Sequence, residues 1–234
     1  PRHRLRPEDV PRAARDGRER LLLKLLELDL SVDARDERQA TALIHAAGLG
    51  NRRLVGLLLE RGAQIGLRTD RGVDALAAAV LGGRLEVVVL LLDHGAAVNT
   101  DYAGMTPMAL AASRADPSMV QLLLQRGVRV DADSAEQAPL ALAIRAALRL
   151  PDPEPAFACI DALLARRAPV DVRDAAGRTL LLHLCSSGAN APVAPEGPVL
   201  LALLGRLLAA GADVNAVDGY ERNAAHWACR HHQP

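Results

Sequence analysis

The sequence predicts an all-α fold of paired short helices repeated along the chain, and three observations carry that prediction. Half of the 234 residues are hydrophobic but just four, Tyr102, Phe157, Tyr220 and Trp227, are aromatic, so the core must be built from closely packed Leu, Val and Ala. A leucine-rich segment, usually ending in glycine, recurs along the chain. Upstream of each later copy stands an alanine- and leucine-rich segment with its apolar residues at helical offsets.

The leucine-rich copies are LLLKLLELDLSVD (21–33), LVGLLLERGAQIG (54–66), LEVVVLLLDHGAAVN (85–99), MVQLLLQRGVRVD (119–131), CIDALLARRAPVD (159–171) and LLGRLLAAGADVN (203–215). Registered on one another they place Asp29, Gly62, Gly95, Gly127, Arg167 and Gly211 in a single column, at spacings of 33, 33, 32, 40 and 44 residues. A period near 33, twice stretched, therefore organises the chain, and such a period overrides any single-window reading of secondary structure.

In chain order, residues 1–35 read as an N-terminal capping repeat, because Pro7 to Asp16 is charged and has no turn segment before it. Residues 36–218 hold the repeats proper. Their first helices are ATALIHAAGLG (40–50), VDALAAAVLGG (73–83), MTPMALAASRA (105–115), QAPLALAIRAA (137–147) and RTLLLHLCSSG (178–188). Thr41, Thr106 and Thr179 sit where an N-cap is wanted, and Pro107 occupies a first-turn position. The leucine-rich segments are the second helices, closed by glycine in a left-handed C-cap, so Asp29 and Arg167 should be strained where they replace it. Leu85 to Leu92 is helical despite its valines, since burial between neighbours outweighs a propensity cost of ~0.5 kcal/mol per residue. Two insertions, near 147–155 and 186–198, read as tolerated surface loops, because each doubling of loop length costs only roughly 0.6 kcal/mol. Long loops also serve as partner contacts, which is the functional alternative. Residues 219–234 supply a first helix, RNAAHWACRHH, without a second, and read as an incomplete C-terminal repeat.

The segments DYAGMTPMALAA (101–112), GRLEVVVLLLDHGAAVN (83–99) and GADVNAVD (211–218) resemble the ankyrin repeat, and the resemblance runs from about Arg12 through nearly the whole chain. It implies an ankyrin-repeat solenoid of helix-turn-helix units with projecting β-turn fingers, binding other proteins through the concave surface of finger tips and first helices. The family's histidine in T-P-L-H is replaced by Ile44, Ala77, Ala109, Ala141 and Leu182 and survives as His226. This array is therefore expected to lean on apolar packing and to hold its fingers less rigidly.

Acidic and basic residues balance at 28 each, which removes the long-range attraction that nucleic acid or an anionic membrane exerts on a basic domain. Lys24 is the sole lysine, a bias that points to a GC-rich bacterial genome. No apolar run approaches the ~20 residues of a membrane helix. Three cysteines without scaffold spacing read as reduced, mostly buried thiols, which places the chain in a cytosol, bacterial or that of a host.

No phosphate loop or H-E-x-x-H pattern is present. HWACRHH offers zinc-type ligands in His226, Cys229, His231 and His232, but His226 stands at the family's structural position and Cys229 is expected to face inward. Asp171 and Asp174 recur as Asp33 and Asp36, and as Asn215 and Asp218, which fits backbone capping better than acid catalysis. No catalytic residue, metal or cofactor is expected.

The family's binding surface, carried over position by position, selects Arg38 and Leu49, then Arg71, Val73 and Leu81, then Tyr102, Met105 and Arg114, then Arg145, Arg178, Tyr220 and Arg222. Aromatics, a methionine and arginines make the composition of interface anchors. The expected function is a non-enzymatic scaffold for a protein segment bearing acidic and apolar side chains. The alternatives are a regulatory or targeting module of a larger enzyme or effector, and a zinc or thiol site near the C-terminus.

Overall fold

The computed structural model describes residues 5–99, 102, 104–131, 135–186 and 197–230. Among these residues the fold is all-α, and β-type pairing is limited to the isolated bridges Arg35–Thr41 and Tyr102–Met105. The helices pair in chain order: α1 (Asp9–Arg15) with α2 (Glu19–Glu27), α3 (Ala42–Leu49) with α4 (Arg52–Glu60), and α5 (Ala75–Leu81) with α6 (Leu85–Asp93). There follow α7 (Pro107–Ser113) and α8 (Pro117–Gln125), α9 (Pro139–Ala147) and α10 (Glu154–Ala165), α11 (Leu180–Ser186) and α12 (Gly197–Ala209), and finally α13 (Ala224–Arg230).

Contacts gather the chain into two compact units, one holding residues up to Leu110 with Gln125–Val128, the other Ala111–Leu124 with Arg129 onward. In the first unit α1 packs on α3 and α3 on α5, while α4 packs on α6, so first helices stack on first helices and second on second. In the second unit α9 packs on α10, and α11 on both α12 and α13.

The helix starts follow from side-chain caps. The hydroxyls of Thr41, Thr106 and Thr179 accept the N–H of Ile44, Ala109 and Leu182. Asp74 does the same for Ala77 at 2.8 Å, a cap the sequence reading passed over, and Asn51 and Asp116 cap α4 and α8. Each such bond satisfies a donor that the helix itself leaves without a partner.

The ends of the second helices follow the predicted column. Gly62, Gly95, Gly127 and Gly211 all take positive φ, and so do Asp29 (59°) and Arg167 (57°). At Gly62 and Gly95 the following alanine N–H reaches back to Leu58 and Leu91, the crossed hydrogen bond of a Schellman end. The strain expected at Asp29 and Arg167 is thus present, and Gln39, Ala115 and Glu221 share it.

Small residues set how closely first helices approach. Ala42, Ala46, Ala75 and Ala79 are fully buried, and a Cβ placed on Gly82 would lie 2.6 Å from the Gly48 carbonyl oxygen. Arg84 closes this edge by donating Nε–H to the same carbonyl at 3.2 Å. Leu22, Leu54, Leu58 and Leu91 are fully buried on the second helices of the first unit, as are Met119, Leu123 and Ile160 on those of the second. Hydrogen bonds also cross from one repeat to the next outside the helices: Asp33 accepts the N–H of Gln64 at 2.9 Å, and Asp171 accepts that of Asp213 at 3.2 Å.

α9 runs through Ala147 and α10 starts at Glu154, so residues 148–153 form the link. Gly197 and Pro198 already belong to α12, because proline fits a first helical turn, while 187–196 lie outside the described residues. On α12 and the turn after it Leu201, Leu208, Val214 and Val217 stay exposed.

Candidate functional site

Three of the fingers are built on an aspartate nine residues ahead of a ring. Asp36 accepts the N–H of Arg38 and of Ala40, both at 2.9 Å, and its other oxygen lies 2.8 Å from His45 Nε2. Asp174 accepts the N–H of Ala176 and of Arg178, both at 2.8 Å, then Arg178 Nε at 3.1 Å and His183 Nε2 at 2.8 Å. Asp218 repeats the pattern with Tyr220, Arg222 and, in place of histidine, the indole N–H of Trp227 at 3.2 Å. In the finger before α5, Thr69 takes over and accepts the N–H of Val73 at 3.0 Å.

An ionised carboxylate only accepts, so His45 and His183 carry their proton on Nε2. Burial pushes all three carboxyls up, yet the hydrogen bonds outweigh it and each titrates below its ordinary value. His45 contributes most to that lowering at Asp36, Arg178 at Asp174, and Arg222 at Asp218, which is held at about 2. Burial, then the Arg178 charge, lowers His183.

These anchors correct the expectation of loosely held fingers. The ring comes from the position after the one where the family has its histidine, so His45 and His183 replace an interaction that looked lost. His226, at the family's own position, instead closes a local cap: its N–H meets Asn223 Oδ1 at 3.0 Å and its ring lies 2.7 Å from that oxygen.

In the first unit Arg38 and Arg71 are exposed on their fingers, and the two fingers are joined where Asp70 N–H donates to the Arg38 carbonyl at 3.1 Å. Leu49 is exposed at the end of α3, while Val73 and Leu81 are half-buried. Tyr102 and Met105 face each other through two backbone hydrogen bonds of 2.9 and 2.8 Å. In the second unit Arg114 is exposed and lines a shallow cleft with Arg149 and Leu150. Tyr220 is 75% exposed, and Arg222 lies 4.6 Å from its ring centre and 4.2 Å from that of Trp227. Arg178 and Arg222, selected as partner contacts, are thus already committed to Asp174 and Asp218.

Arg145 and Arg178 converge on one cavity of about 450 Å³ in the second unit. Ile144 of α9 and Leu148 just after it, with Leu180 and Leu184 of α11 and Val172, give it apolar walls, and Arg145, Arg178, His183 and Glu136 stand among them. Arg145 donates Nη2–H to the Glu136 carbonyl at 3.0 Å.

Burial, and then the Asp116 charge, raises the Cys159 thiol to about 12, and burial raises Cys185, so neither is a thiolate nucleophile near neutrality. Cys229 is exposed rather than inward. Among the described residues no three His, Cys, Asp or Glu side chains could hold a metal ion; His231 and His232 lie outside them. No described helix is long and apolar enough to cross a membrane.

The sequence family described as ankyrin repeats (3 copies) matches residues 12–102, and ankyrin repeat matches 103–135, together just over half of the chain. No curated protein matches. The human ASB11 ankyrin repeat domain shares 22% identity and a TM-score of 0.72, with 94% of this chain and 90% of that one covered. An ankyrin repeat domain from Acinetobacter baumannii AYE shares 25% identity and a TM-score of 0.73, with coverages of 88% and 98%. Ankyrin repeats are in general protein–protein interaction modules. With the left-handed column, the paired helices and these matches in agreement, the chain belongs to the ankyrin repeat family.

Proposed function

We propose that the chain is a non-catalytic scaffold that binds a partner protein through its finger tips and the exposed face of its first helices, in a reducing cytosol. The single observation that supports this most is one of charge. From α3 onward the described first helices contain no aspartate or glutamate, while Arg145 lies on α9, Arg114 directly follows α7 and Arg149 comes two residues after α9. A partner segment with carboxylates and apolar side chains complements such a face, and arginine holds carboxylates in two-point contacts.

The test is capture of partners on the immobilised chain, comparing wild type with the double variant Arg71→Glu, Arg114→Glu. Both side chains are exposed, so the fold should survive. Proteins retained by wild type and lost by the variant are expected; identical retention on both overturns the reading.

A further inference from the structure

The cavity between α9 and α11 is more specific than a generally basic face. Its volume of about 450 Å³ falls in the range of sites that enclose a small group, roughly 300–1,000 Å³. Its walls are aliphatic, through Ile144, Leu148, Leu180 and Leu184, so desolvating an apolar side chain there is favourable. Asp174 does not repel an incoming acid strongly, because its charge is spent on Arg178, His183 and two backbone N–H groups. Arg145 differs from Arg178: it is exposed and gives Nη2–H to the Glu136 carbonyl, and most of a guanidinium's five donors are left for a ligand. Among the described residues Glu136 supplies the other carboxylate at the cavity.

Resting on the reading of the first-helix face as partner-binding, we infer that this cavity is the anchor site for one aliphatic side chain of a partner segment whose aspartate or glutamate, one or two residues away, is held by Arg145. The chain itself provides the contrast. Arg145 occupies the position that Gly48 occupies in α3, where the neighbouring first helix comes so close that a Cβ on Gly82 would lie 2.6 Å from the Gly48 carbonyl oxygen. The site is present where the period is stretched, immediately before the 148–153 link.

A random-peptide library displayed against the immobilised full chain tests this, with enriched peptides then titrated by fluorescence anisotropy against variants checked for folding by circular dichroism. Enriched sequences are expected to pair Leu, Ile or Met with a nearby Asp or Glu. Arg145→Gln should weaken them about tenfold, as loss of a hydrogen bond to a charged group implies. Val172→Tyr, which narrows the cavity, should weaken them further, and Glu136→Gln should tighten them. If Val172→Tyr does not fold, the exposed Arg145 decides alone. Peptides indifferent to Arg145→Gln and Val172→Tyr but lost with Arg71→Glu, Arg114→Glu overturn the anchor and leave the broader surface standing. Peptides indifferent to every variant, or no enrichment at all, remove both.

Discussion

The contact of α3 with α5 and the neighbouring helices α9 and α11 occupy equivalent places in the repeat, yet one is sealed and the other holds a cavity. In the first, Gly48 and Gly82 let backbone meet backbone, and Arg84 locks the edge with a hydrogen bond to Gly48. In the second, Arg145 stands at the place of Gly48, with Leu148 one turn on. The buried faces differ as well: α11 carries Leu180, Leu182 and Leu184 where α5 carries Ala75, Ala77 and Ala79. Larger side chains on the packed face and a charged residue at the outer margin of α9 together keep these two helices from closing. A repeat protein can thus acquire a site by changing the size of a few residues while its helix pairing stays the same.

The largest effect that would sharpen this contrast is steric. Gly82 has an ordinary negative φ, so Gly82→Ala introduces no backbone strain; it drives a Cβ onto the Gly48 oxygen. Overpacking against backbone should cost about 1–3 kcal/mol, read as a lower midpoint in urea unfolding. Arg145→Ala, at the open counterpart, should change stability by less than about 0.5 kcal/mol. Equal losses at the two places would erase the distinction between sealed and open contacts.

A second pair isolates conformation from packing. Gly62 has φ 80° and open space around a would-be Cβ, while Arg167 holds the same place in a stretched repeat at φ 57°. Gly62→Arg should therefore destabilise by about 1 kcal/mol, and Arg167→Gly should stabilise by a similar amount. Thermal unfolding measures both, and a destabilising Arg167→Gly would mean that the arginine side chain contributes more than its backbone costs.

The column containing Gly62 and Arg167 was the most legible feature of the sequence, because a left-handed C-cap is a local requirement repeated at a fixed period. The first-helix caps at Thr41, Thr106 and Thr179 were legible for the same reason. The ring anchors were not, although Asp36 and His45, Asp174 and His183, and Asp218 and Trp227 recur at one spacing. Their aspartates were already explained as backbone caps, and one of the three rings is an indole, so the pattern was hidden by a correct but partial reading. The cavity was invisible for a different reason: its walls come from residues more than thirty apart, and its size depends on how far two helices close. Arg145 and Arg178 were both selected from the sequence, and the signal that separates them, an aspartate four residues before Arg178 as before Arg222, went unused.

The smallest effect concerns these finger anchors and appears only in acid. Asp218 titrates at about 2 in the folded chain against an ordinary 3.8, so folding favours the ionised carboxylate. Its stabilisation is complete above the ordinary value and is withdrawn as the pH falls towards the folded one. Asp36 and Asp174, lowered for the same reasons, follow the same direction. The Asp174 finger adds a second window: His183 lies below its ordinary 6.5, so the neutral ring is favoured in the fold and stability begins to fall as the pH drops beneath that value. Urea midpoints followed from neutral pH downward should show a loss below about 6.5 that His183→Gln removes, and a later loss between about 4 and 2 that Asp218→Asn reduces. Wild-type midpoints that stay level through both windows would mean that the fingers are held by their backbone turns alone, in the stretched repeats as in the regular ones.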